Sequence, residues 1–168
     1  MLNSAGRHSG PRFRISWVIR QRLALGPAPR RPEHCALLER EGLAAIFSLC
    51  SEAEAAAPPG LDRFVTTRLV LPDHRSDRSI EVADLLQALD VLTRLQQAGP
   101  VFVHCLASME RSPLVCMAWL VRSQGFSPLQ ALDYLMHIHP GTSPLPSQWQ
   151  ALCDLASEAA PTWGDQPQ

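Results

Sequence analysis

The chain has 168 residues, 46% of them hydrophobic and 18% charged, with a net charge of −1 and an isoelectric point near 6.6. That is the composition of one globular domain with a real core, and it points to neither a disordered chain nor a nucleic-acid partner. No apolar run reaches 18 residues, so a membrane span is not expected, and five cysteines at irregular spacing, without a C-x-x-C pair, argue against a disulfide scaffold or a structural zinc site.

The first segment, residues 1–12, is basic and acid-free and lacks the apolar block of a secretory signal; a flexible tail on a reducing, cytoplasmic protein is the expectation. "FRISWVI" (13–19) and "RLALG" (22–26) read as short strands, the second closed by Gly26-Pro27. Residues 30–42 carry a narrow apolar stripe of Cys35, Leu37 and Leu38 and read as a helix ending at Gly42. "LAAIFSLC" (43–50) is apolar throughout, as in a strand buried on both faces. Residues 52–62 form a loop, and "RFVTTRLVL" (63–71) a strand stopped by Pro72.

A polar turn (73–79) precedes a helix in which Val82, Leu85, Leu86, Leu89, Leu92 and Leu95 recur at helical spacing, with Ser79 as the expected N-cap. After Gly99-Pro100 comes a short buried strand, "VFV" (101–103). Ser112-Pro113 opens a helix to about Gln124, Ser127 and Gln130 form a capping box for the next, and Ser147 and Gln150 repeat that spacing for a last helix fading near Ser157. "HIHP" (137–140) reads as a helix end, since His137 and His139 lie about 200° apart on a helix. The final residues, 158–168, are expected to fray. Strands alternating with helices predict an α/β domain over 13–157, a central, mostly parallel sheet flanked by helices.

The chemistry concentrates in "VFVHCLASMERSPLVCMAWL" (101–120). Cys-x5-Arg alone is nearly uninformative: with this composition about 0.45 such pairs arise by chance. Cys116 and Arg122 are such a chance pair, on different faces of one apolar helix. Cys105 differs, because it ends a buried strand and precedes a helix N-terminus across a turn of small residues. A helix start offers unpaired amides and partial positive charge, which suit an anion and favour thiolate over thiol. Arg111 can fork onto two oxygens of that anion, Ser112 can donate to sulfur, and His104 can orient the loop.

These residues resemble the His-Cys-x5-Arg-Ser loop of cysteine-dependent protein tyrosine phosphatases, specifically the small dual-specificity branch. The likeness extends over roughly residues 15 to 155 through "LALGPAP" (23–29), "GLAAIFSLCSE" (42–52) and "HPGTSPLPSQWQAL" (139–152). It implies a dual-specificity-phosphatase-like fold, Cys105 as nucleophile, Arg111 as phosphate binder, Ser112 as an aid to thiolate departure and His104 as a support. Leu106, Ala107, Ser108, Met109 and Glu110 would line the phosphate with Arg111. The family's general acid is an Asp on a preceding loop; Asp73 and Asp77 stand 32 and 28 residues before Cys105, and Asp73, directly behind the strand end and Pro72, is the preferred one. No metal or other cofactor is implied.

Two residues depart from the family pattern. Ser108 stands where the family has glycine, which at positive φ costs of order 1–2 kcal/mol. Glu110 places a carboxylate in an anion loop, a repulsion of about 2 kcal/mol unless it turns outward or Arg75 or Arg78 neutralises it. The resulting expectation is a phosphatase for phosphotyrosine and phosphoserine/threonine in proteins, acting through a phosphocysteine. The alternative is a non-catalytic reader of phosphate. Rhodanese-like and arsenate-reductase-like thiol enzymes fit less well, since they lack an acid on a preceding loop.

Overall fold

The computed structural model describes residues 12–159, so the two expected tails fall almost wholly outside the described residues. Five strands form one sheet in the order β1-β2-β5-β3-β4: β1 (Ser16–Ile19), β2 (Leu23–Pro27), β3 (Ala45–Ser48), β4 (Val65–Arg68) and β5 (Val101–Cys105). Only β1 runs antiparallel to its neighbour; the other pairs are parallel. The helices are α1 (Pro32–Arg40), α2 (Val82–Leu95), α3 (Arg111–Gln124), α4 (Pro128–Ile138) and α5 (Pro146–Ala159).

Alternation along the strands assigns the two faces. Leu23, Leu25, Ala45, Phe47, Val101, Val103 and Cys105 join the larger core, which α2 to α5 cover, whereas Ala24, Ile46 and Phe102 meet Cys35 and Leu38 of α1 on the opposite face. All five β5 residues are buried, as befits the middle strand. Helix α3 is buried from Arg111 to Val121, the signature of a helix enclosed on all sides. Within it Cys116 is fully buried and Arg122 exposed, as their spacing predicts.

Several boundaries differ from the sequence reading. Expected strands 13–19, 43–50 and 63–71 shrink to four residues each, yet Leu69 N–H donates to the Ser48 carbonyl and Leu71 N–H to the Leu49 carbonyl, so pairing continues past β4. Strand β5 instead runs two residues longer, to Cys105 itself. The α2 cap is Glu81, not Ser79: Asp84 accepts from the Glu81 N–H at 2.9 Å and closes the capping box. Helix α5 starts at Pro146, and Gln148, rather than Gln150, reaches back to the Leu145 N–H. The Ser127–Gln130 box forms as expected.

Gly26, in register with His104 of β5, has a steric reason: a Cβ there would run into the Arg14 carbonyl and come within 2.9 Å of the Phe102 ring. Gly26→Ala should therefore destabilise the chain by about 1–3 kcal/mol, read from urea unfolding, because the crowding atoms are backbone and a buried ring.

Candidate active site

Strand β5 ends at Cys105, in the middle of the sheet, and residues 106–110 lead the chain into α3. What holds this loop open is where its carbonyls go. The Leu106 carbonyl accepts from Ala28 N–H (3.2 Å), that of Met109 from Ser143 N–H (2.8 Å) and that of Ser108 from His139 Nε2 (2.8 Å). With the carbonyls drawn outward, the amides are left over: among the described residues no protein acceptor takes the N–H of Ala107, Ser108, Met109 or Glu110. The α3 N-terminus likewise lacks a side-chain cap. Such a ring of unclaimed N–H groups is a receptor for an oxyanion.

Cys105 is 3% exposed, and its Sγ lies 3.4 Å from Ser112 Oγ. Ser108 has φ 59°, so the site does hold a non-glycine residue at positive φ, and its buried Oγ sits 2.9 Å from Ser112 Oγ. His104, 4% exposed, donates from Nδ1 to the Cys105 carbonyl at 3.2 Å. Burial lowers its ring to about 4, so it is neutral at pH 7.

Arg111 is only 4% exposed, and its partners account for much of the site's shape. Nη1 donates to the Leu49 carbonyl (3.1 Å) and the Leu71 carbonyl (3.2 Å), while Nη2 meets Glu54 Oε1 at 2.8 Å. A guanidinium has five N–H donors in a planar fork. Among the described residues the Nε–H and the second Nη2–H have no protein partner. They are adjacent donors on one edge of the guanidinium, spaced for two oxygens of one anion. The hydrogen bonds from Arg111 hold the Glu54 carboxyl below its usual range against the opposing effect of burial.

Glu54 was missed in the sequence, where it fell inside an expected loop. A signal existed: Ser51-x-x-Glu54 has capping-box spacing, and Glu54 does accept from Ser51 N–H at 2.8 Å while Ser51 Oγ accepts from Glu54 N–H at 3.3 Å. His139, beyond the end of α4 at Ile138, opens the 139–152 stretch that resembles the family but was given no role in the site; it is buried and bonded to both Ser108 and Ser16. Arg68 braces the loop after β3 through Ser48 Oγ (3.2 Å), the Cys50 and Ala55 carbonyls and Glu52 (2.8 Å).

Asp73 and Asp77 both line an open cavity of about 570 Å³, together with Arg111. Asp73 accepts from the Arg75 N–H (3.0 Å), from Arg75 Nη2 (2.9 Å) and from Ser76 Oγ (3.1 Å). Burial opposes its charge, but these hydrogen bonds prevail and bring the carboxyl down to about 2. Neither Arg75 nor Arg78, the two arginines that could have neutralised Glu110, pairs with it. Arg75 is committed to Asp73 and Arg78 to Asp84, and Glu110 instead meets His74 Nδ1 at 3.1 Å. All five cysteines are free; burial pushes Cys50 up to about 12 and Cys116 higher still, marking both as neutral core thiols.

Residues 33–158 match the family model for the dual specificity phosphatase catalytic domain, and the chain belongs to that family. It is 30% identical over 89 residues to human dual specificity protein phosphatase 5, a match covering 53% of this chain and 23% of that protein. It is 24% identical over 134 residues to the phosphatidylglycerophosphate phosphatase PTPMT1 of Arabidopsis thaliana, covering 79% of this chain and 40% of the relative. The chain thus spans about a quarter to two fifths of the length of these curated relatives. Similar solved folds include PTPMT1 in complex with PI(5)P (TM-score 0.70, 21% identity, 82% and 91% of the two chains). Another is the human tyrosine phosphatase-like serine/threonine/tyrosine-interacting protein (TM-score 0.72, 19% identity, 86% and 96%).

Burial of the two site histidines makes stability pH-dependent. His104 ionises near 6.5 when unfolded and near 4 when folded, so its contribution is complete above 6.5 and is lost as pH falls toward 4. Urea unfolding should give about 2–3 kcal/mol less stability at pH 4.5 than at pH 7, with a smaller drop in His104→Gln. His139, also lowered by burial, adds in the same direction. The depressed carboxylates Glu54 and Asp73 lose their contributions only at lower pH.

Proposed function

We propose that the protein hydrolyses phosphate monoesters through a phosphocysteine on Cys105. The observation that carries this reading is the pair of free Arg111 donors set at the start of α3 beside a loop of unclaimed amides and a buried thiol. The phosphoryl group binds in the loop 106–110, held by its amides and the Nε–Nη2 edge of Arg111. The Cys105 thiolate attacks phosphorus, and the leaving oxygen takes a proton. Water then attacks the phosphocysteine, and sulfur departs as thiolate with Ser112 donating to it.

Asp73 is the proposed proton donor. It stands two residues beyond Leu71, whose carbonyl Arg111 holds, whereas Asp77 is four residues further along the loop. A carboxyl bonded as Asp73 now is remains ionised at neutral pH, so acid catalysis requires it to leave Arg75 and Ser76 for the substrate oxygen.

Phosphoprotein is the proposed substrate class, phosphotyrosine and phosphoserine/threonine alike. The cavity is wide and open, and two of its arginines are already paired with Asp73 and Asp84. The loop 106–110 has no cationic side chain and the chain no lysine, so a headgroup bearing further phosphates would meet few free cations. A lipid relative and a lipid-bound structural neighbour make the comparison worth running directly. The five free cysteines fit the reducing, cytoplasmic setting expected from the sequence. Among the described residues no helix is long and apolar enough to cross a membrane.

The test is turnover of p-nitrophenyl phosphate, phosphotyrosine and phosphoserine peptides, and PI(5)P vesicles by the purified chain. Vanadate-sensitive turnover of the aryl and peptide substrates is expected, and Cys105→Ser should abolish it. Asp73→Asn should lower kcat by about 10²–10⁴-fold, the usual worth of a positioned proton donor, and Asp77→Asn by far less. Turnover that survives Cys105→Ser contradicts the mechanism. A wild-type chain that binds phosphate analogues without turnover would be a phosphate reader.

A further inference from the structure

Three buried groups form a file behind the sulfur: Ser108 Oγ is 2.9 Å from Ser112 Oγ, which is 3.4 Å from Cys105 Sγ. Their residues are 1%, 0% and 3% exposed. Each hydroxyl has one proton. If Ser112 gave its proton to Ser108, the sulfur would lose its donor and the Ser108 proton would have no acceptor among the described residues. The opposite direction satisfies every group. We propose that Ser108 is a positioning residue: it donates to Ser112 and thereby directs the Ser112 proton onto the Cys105 sulfur. This rests on the phosphatase reading above.

The backbone is arranged to hold that hydroxyl in place. At φ 59° Ser108 adopts a conformation that favours glycine, so a serine persists there at a conformational cost a glycine would avoid. Its carbonyl accepts from His139 Nε2 at 2.8 Å, which puts the ring proton on that nitrogen. With burial keeping the ring neutral, Nδ1 is then the acceptor for Ser16 Oγ–H at 2.7 Å. One chain of donors, Ser16 to His139 to the Ser108 carbonyl, pins the residue; a second, Ser108 to Ser112, uses its side chain.

The consequence falls on the second chemical step. As water attacks the phosphocysteine, the P–O bond forms, the S–P bond breaks with its electron pair going to sulfur, and the water proton passes to Asp73. The departing thiolate is stabilised by the Ser112 proton. A donor behind Ser112 polarises that hydroxyl and strengthens its bond to sulfur. Ser108 thus assists breakdown of the intermediate, with little effect on its formation.

Ser108→Gly removes the hydroxyl and suits the backbone, so it should fold. Rapid mixing of the full chain with p-nitrophenyl phosphate should show kcat reduced about threefold with kcat/KM retained, and a larger burst of p-nitrophenolate. In a Ser112→Ala background the same substitution should change nothing further. An unchanged kcat and burst, equal losses in kcat and kcat/KM, or a loss that persists without Ser112 overturns the inference. A wild-type chain without turnover overturns the phosphatase reading, and this proposal with it.

Discussion

The buried guanidinium of Arg111 is the constraint around which the site is organised. A charge this deep must be paired, since an uncompensated one costs several kcal/mol. Arg111 meets that demand with the Leu49 carbonyl at the end of β3, the Leu71 carbonyl beyond β4 and the Glu54 carboxylate. The segments that follow β3 and β4 are thereby both tied to the first turn of α3. A buried ion pair is a weak stabiliser compared with apolar packing. What this one provides is placement: it fixes the guanidinium plane and, among the described residues, leaves Nε–H and one Nη2–H without a protein partner.

The loop itself follows a similar logic with backbone groups. Donors from Ala28, His139 and Ser143 take its carbonyls, and the amides are consequently left for an anion. The same pinning holds Ser108 at positive φ, so strain is stored at a residue whose hydroxyl contacts the sulfur's hydrogen-bond partner, Ser112. Glu110, which looked like an electrostatic fault, points at His74 and lies one-fifth exposed.

Much of this was legible before any coordinates. The alternation of apolar runs and helical periodicity defined the parallel sheet and its helices, because those patterns report burial directly. Cys105, Ser112 and Arg111 were recognisable because they sit at one strand-to-helix turn, a local arrangement. Glu54, Arg68 and His139 were not, because their partners lie 57, up to 20 and 31 or more residues away and only the tertiary fold brings them together. Ser79 lost the α2 cap to Glu81 for a related reason: a reciprocal bond with Asp84, itself paired with Arg78, outweighed the intrinsic preference for serine.

The most direct measurement is a crystal structure of the chain soaked with tungstate. The account predicts one tetrahedral oxyanion in the loop 106–110, against Cys105 Sγ and accepting hydrogen bonds from Arg111 Nε and Nη2, with Glu54 still on the guanidinium's other edge. An oxyanion bound elsewhere, or one in the loop that Arg111 does not touch, would contradict it.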